Sequence, residues 1–63
     1  MTKIRLILPE YEQEDINIML PGVPQIGSEF SIRGNFYKVN SVSYEVQIPF
    51  EQLGQISVYL EKI

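Results

Sequence analysis

The sequence predicts an all-β fold, a small barrel of about five antiparallel strands. Apolar and polar residues alternate in several short runs, and a period of two turns one face of a strand toward a core. Gly and Pro residues lie between these runs, where strand pairing ends. No stretch keeps the 3.6-residue apolar spacing long enough for a helix of about ten residues. With 63 residues, we expect one small β-barrel domain over residues 1–63.

The first two runs predict an N-terminal hairpin. Residues 3–8 alternate and end at Pro9, which cannot donate to a strand ladder. Residues 15–20 alternate again, and a connection of about five residues between two strands is typical of a hairpin. The apolar side chains expected on the core face are Ile4, Leu6, Leu8, Ile16, Ile18 and Leu20.

The connection between these two strands is acidic. Residues 10–15 contain four carboxylates around Tyr11, and we expect a solvated loop. The alternative is an acidic patch for a basic partner. Such a cluster also suits a hard cation such as calcium, but it lacks the Gly and the spacing of a calcium-binding loop, so we expect no metal.

Residues 21–28 form the irregular segment, because they contain two Pro and two Gly. We expect Val23 and Ile26 to close one end of the barrel and Gly27 to turn the chain into the third strand. The segment has no Gly-rich phosphate-binding pattern, so nucleotide binding by this loop is not expected.

Residues 29–48 predict a second hairpin, turning at the two-residue link Gly34-Asn35. Primed turns need positive φ, which Gly adopts freely and Asn tolerates. Tyr37 and Val39 share one face, but the next apolar residue, Val42, comes three positions later. Such a slip predicts a β-bulge or a bend. The alternative is a regular strand without a bulge, in which Phe36 and Val42 lie on the same face.

The C-terminal run, residues 55–63, predicts the last strand. Ile56, Val58 and Leu60 are expected to face the core, with Tyr59 and Glu61 outward. Residues 49–54 connect it to the preceding strand. One helical turn over residues 51–53, ended by a Gly, is expected there.

Together, the Ile26-Gly27-Ser28 entry turn, the long bent hairpin and the short turn before the last strand resemble small SH3-like barrels encoded in phage and mobile-element genomes. The resemblance covers about residues 24–60. The two apolar strands before the entry turn depart from that pattern. The resemblance implies a binding role for proteins, peptides or nucleic acid rather than catalysis, and it assigns no functional residue.

Composition argues against an enzyme and against a cofactor. The chain has no His and no Cys, so the usual general base, thiol nucleophile and zinc ligands are absent. A chain of this size also has little volume for a cleft that buries a substrate. The lack of Cys fits a reducing compartment, and no apolar run reaches the length of a signal peptide core or a membrane span. We expect a cytoplasmic protein.

Three functions remain open, of which protein binding is favoured, for example as a phage-type inhibitor or accessory factor. Aromatic and large apolar residues expected to face outward suit a protein interface, and they are Ile7, Tyr11, Met19, Phe50 and Tyr59. The second function is single-stranded nucleic-acid binding through Arg33, Tyr37 and Lys38. The formal charge of −3 disfavours it, because phosphate binding depends on Lys and Arg. The third is capture of a small ligand, such as a signalling nucleotide, between protomers.

A homodimer is also expected. A domain this small is marginally stable. Without disulfides or metal ligands, oligomerisation is the common source of additional stability. Ile7 and Met19 point away from the predicted core face of the N-terminal hairpin, so another surface is needed to bury their side chains. We therefore predict a symmetric homodimer built through that hairpin, in which these same residues serve a second copy instead of another partner.

Overall fold

The computed structural model describes residues 1–11, 16–46 and 53–63. The structure is all-β, and its five strands form one curled, half-barrel sheet. A short 3-10 turn, Pro9–Tyr11, follows the first strand. The strands are β1 (Thr2–Ile7), β2 (Ile16–Leu20), β3 (Glu29–Ile32), β4 (Asn35–Val46) and β5 (Leu53–Lys62). The predicted strand content and strand number are thus confirmed.

The sheet is mixed, which corrects the expectation of antiparallel pairing throughout. Its strand order is β2-β1-β5-β4-β3. Three neighbouring pairs are antiparallel, but β1 and β5 run in parallel, with Leu6 beside Val58. Successive strands alternate in direction along the chain. Because the directions alternate, the first and the fifth strand run the same way, and they lie side by side in the middle of the sheet.

The core lies on the concave face of this sheet, where β1, β4 and β5 meet. Each side chain of this size stabilises the fold by roughly 1.5–3 kcal/mol when fully buried. The alternation predicted for the first, fourth and fifth strands is confirmed, because the buried residues are Ile4, Leu6, Leu8, Tyr37, Val39, Ile56, Val58 and Leu60. The inward side chains of β2 and β3 pack against this cluster and are partly buried.

The connection between β2 and β3 carries the chain from one edge of the sheet to the other. Val23 packs against the core, as expected. Ile26 does not, because its side chain is 71% exposed. The Ser28 N–H donates to the Gln25 carbonyl at 3.1 Å, which closes a tight turn with Gly27 at φ +94°. Ile26 occupies the first corner of that turn, and a corner side chain projects away from the chain.

The turn between β3 and β4 lies one residue earlier than predicted. Ile32 pairs with Asn35, so the two central residues are Arg33 and Gly34. Their φ values of 51° and 81° are both positive, as a primed two-residue turn requires. The primed geometry is therefore confirmed, while its assignment to Gly34-Asn35 is wrong by one position.

The predicted bend in the fourth strand is confirmed. The register with β5 shifts between Val39 and Ser41, which leaves Asn40 as an extra residue. Val39 is buried and Val42 packs against the core, so the bulge keeps both on the same face. The predicted helical turn at 51–53 begins outside the described residues, and Leu53 already belongs to β5.

Candidate protein-binding site

A small cavity of about 210 Å³ lies where β1 ends beside β5. Ile7 and Tyr59 are neighbours there in the parallel β1–β5 register. Ile7 is half-buried, and Tyr59 remains 39% exposed. The structure thus brings together two of the residues that the sequence singled out for a partner. The cavity is lined by Ile7, Leu8, Pro9, Asn40, Tyr59 and Leu60.

Two interruptions of the sheet border this cavity. Pro9 begins the 3-10 turn just after β1 ends at Ile7, because proline cannot continue the ladder. On the other side, the bulge in β4 leaves Asn40 out of register next to the Ser41–Tyr59 pair. Bulges often lie beside functional sites, where they redirect a side chain. Sequence reasoning located the bulge but did not identify Asn40 and Pro9 as site residues.

The size and lining of the cavity limit what it can hold. Pockets for drug-sized ligands usually measure roughly 300–1,000 Å³, and this cavity is smaller. Its volume suits a single side chain. The ring of Tyr59 and the apolar groups of Ile7 and Pro9 provide apolar contact, and the Asn40 amide provides a donor and an acceptor at the rim.

The other residues proposed for a partner do not join this cavity. Met19 is 53% exposed on β2, but it lies opposite Lys3. Arg5 separates that position from Ile7 on the outward face of β1. The side chain of Tyr11 and all of Phe50 lie outside the described residues. Ile7 and Met19 therefore do not form one continuous apolar patch.

The three residues of the nucleic-acid alternative do not form a stacking surface. Tyr37 is completely buried, so its ring is closed to a base. Arg33 lies in the turn, and Lys38 pairs with Glu61 at 3.4 Å. Phe36, an exposed aromatic residue next to Tyr37, lies on the opposite face of β4. The alternation of β4 already implied this, because Tyr37 shares the parity of the buried Val39.

Glu10, at the start of the predicted solvated loop, is exposed but also contacts the body of the protein. The Tyr37 hydroxyl donates to Glu10 Oε2, and Lys62 Nζ lies 3.3 Å from Glu10 Oε1. The contact joins the 3-10 turn to β4 and β5. The other carboxylates of the loop lie outside the described residues. Among the residues that are described, no cluster of His, Cys, Asp or Glu has the arrangement of a metal site.

This contact predicts a pH dependence of stability. The hydrogen bond from Tyr37, followed by the interaction with Lys62, lowers the pKa of Glu10 below its ordinary value of 4.5. A carboxyl with a lowered pKa in the folded state stabilises the fold above its unfolded pKa, and this stability is lost as the pH falls through the folded value. Thermal melts between pH 7 and pH 3 should show Glu10→Gln less stable than the parent at neutral pH. The difference should shrink below pH 4.5, and an unchanged difference at pH 3 would contradict the assignment.

The predicted homodimer through the N-terminal hairpin stays a prediction. Strand β2 lies at an edge of the sheet, so its outer backbone groups have no neighbouring strand among the described residues. Its inward side chains Ile16, Ile18 and Leu20 are already half-buried against the core. A second copy would gain little further apolar burial from these three residues.

No family model matches this chain, and neither the curated proteins nor the solved structures contain a match. Within the described residues, no helix has the length and apolar character needed to span a membrane.

Proposed function

We propose that this protein is a non-enzymatic binding module that recognises another protein through the cavity between β1 and β5. The observation that carries the proposal is that Ile7 and Tyr59, neighbours in the strand register, line one space of about 210 Å³. Interface anchors are typically aromatic or large apolar groups that fill a pocket of the partner. Here the pocket is on this chain, and the partner supplies the inserted side chain.

The surroundings of the cavity favour a protein partner over nucleic acid. On β4, the basic residue Lys38 already pairs with Glu61 of β5. The chain as a whole carries a charge of −3, which favours a partner with a basic rim around its apolar anchor. The resemblance of the sequence pattern to SH3-like barrels also supports a binding role. Because the resembling barrels are encoded in phage and mobile-element genomes, we propose a phage-type inhibitor or accessory factor as the specific role.

A capture experiment tests this function. Immobilised parent protein is incubated with a lysate of the cells that encode it, beside the variants Tyr59→Ala and Phe36→Ala. Phe36 is the matched control, because it is also an exposed aromatic residue on the convex face but lies outside the cavity. Loss of an aromatic residue from the centre of an interface usually weakens binding by more than about tenfold. A specific partner should therefore bind the parent and Phe36→Ala but not Tyr59→Ala.

Three outcomes would contradict the proposal. A partner that binds both variants equally would place the interface elsewhere on the chain. Oligonucleotide binding that weakens steeply with added salt would support the nucleic-acid function. An ultraviolet-absorbing compound that co-purifies with the parent and is lost in Tyr59→Ala would support capture of a small ligand.

A further inference from the structure

The second half of β4 has one open edge. Strand β3 pairs with β4 only as far as Lys38. The next position is taken by the β2–β3 connection, since Val39 N–H donates to the Ser28 carbonyl at 2.8 Å and Gly27 N–H donates to the Val39 carbonyl at 3.0 Å. From Ser41 to Val46 the strand pairs with β5 on one side. In the described part of the chain, no strand pairs with its other side. We call residues 41–46 the open edge.

Apart from the bulge at Asn40 that precedes it, the open edge lacks the features that usually protect such strands. Natural edge strands carry Pro, Lys or inward-pointing charges that prevent another chain from pairing with them. Residues 41–46 contain none of these, and their single charge, Glu45, points to the convex side. Tyr44 and Val46 lie on the same face as the core and remain 54% and 59% exposed. Strand β2 also has a free edge, but its inward side chains are already packed.

We propose that a second copy of this chain pairs with the open edge, antiparallel, about a two-fold axis at Ser43. In this register Val42 lies opposite Tyr44 of the second copy and Tyr44 lies opposite its Val42. Aromatic and β-branched residues directly opposite one another are favourable cross-strand pairs. On the convex side, Ser43 meets Ser43, and Glu45 meets Ser41. No charge faces a like charge, so the edge is complementary to itself.

The length of the open edge agrees with this register. Pairing from Ser41 to Glu45 ends at Asn40, where the bulge interrupts the strand, and before Val39, whose backbone groups are already used. The parity also agrees, because the apolar side chains of both copies fall on the concave side and extend one continuous face. The paired residues 41–45 do not line the cavity, although they adjoin it at Asn40, and the two proposals are tested by substitutions of different residues.

Disulfide cross-linking tests the register directly, because the chain has no cysteine of its own. Side chains directly opposite in an antiparallel pair have Cβ atoms about 4.5–5.5 Å apart, close to the separation that a disulfide spans. Ser43→Cys should therefore form a linked dimer under mild oxidation. Ser57→Cys is the matched control, because Ser57 lies opposite Ser43 on β5 but is enclosed between β1 and β4. We expect about tenfold more linked dimer for Ser43→Cys than for this control.

Asn17→Cys reports on the competing edge of β2. Preferential cross-linking of this variant would overturn the proposal in favour of the N-terminal hairpin. Equal, low cross-linking of all three variants would overturn it as well.

Light scattering provides a second readout that needs no cysteine. Tyr44→Lys places a charge on the inward face of the open edge, the device by which natural edges avoid pairing. We expect the parent to show about twice the mass of one chain at micromolar concentration and Tyr44→Lys to show the mass of a monomer. Met19→Lys, an exposed position on β2, should leave the dimer unchanged. Far-ultraviolet circular dichroism of each variant checks that the fold is retained. A parent that is monomeric at every concentration, or a dimer lost only in Met19→Lys, would overturn the proposal.

Discussion

Replacement of Ile4 by Ala is expected to lower the free energy of unfolding by about 2–5 kcal/mol, the usual range for such a truncation in a core. Ile4 is fully buried, and its neighbours on adjacent strands are core or core-packed residues. A chain of 63 residues has a total stability of only about 3–9 kcal/mol when scaled by the usual value per residue. The variant should therefore be partly unfolded at room temperature.

Chemical denaturation followed by circular dichroism measures this effect. Ile4→Val removes one methylene group from the same site and should cost about 0.5–1.5 kcal/mol. Met19→Ala is the surface control, because Met19 is exposed on the convex side of the neighbouring strand, and it should change stability by less than about 0.5 kcal/mol. If Ile4→Ala and Met19→Ala had equal effects, the core would not be centred on the concave face of β1.

Replacement of Gly34 by Val is expected to destabilise the protein by more than about 1 kcal/mol, because a β-branched residue resists positive φ. Gly34 adopts φ +81° at the second corner of the turn between β3 and β4. A Cβ at this position would meet no other atom within 4 Å, so the cost comes from the backbone and not from a clash. Thermal melts of parent and variant provide the measurement.

Two controls separate the backbone effect from the change in size. Gly22→Val adds the same side chain where there is also open space but no positive φ, and it should be nearly neutral. Gly34→Asn should cost clearly less than Gly34→Val, because Asn tolerates the left-handed region. Coincident melts for parent and Gly34→Val would exclude the primed turn.

The candidate site was only partly predictable from the sequence. Alternation alone placed Ile7 and Tyr59 on the outward face, since residues of odd number in β1 and β5 oppose the core set. It did not show that they are neighbours, because that contact depends on the parallel pairing of two strands from opposite ends of the chain. The contact of Glu10 with Tyr37 was also hidden, since a solvated carboxylate and a paired one have the same local sequence.

The sequence by itself determined which side chains of the first, fourth and fifth strands form the core, and it favoured the bend in the fourth strand. Both follow from the period of two, in which every inward residue of a strand is defined by its neighbours. The tertiary structure decided the pairing. Phe30 and Tyr37 lie on the same face whether the turn is at Gly34-Asn35 or, as observed, at Arg33-Gly34. Alternation therefore cannot distinguish the two registers. In the structure, Phe30 lies opposite Tyr37. The parallel pairing of β1 with β5 was likewise decided only by the tertiary structure, because it joins residues about fifty positions apart that no local pattern connects.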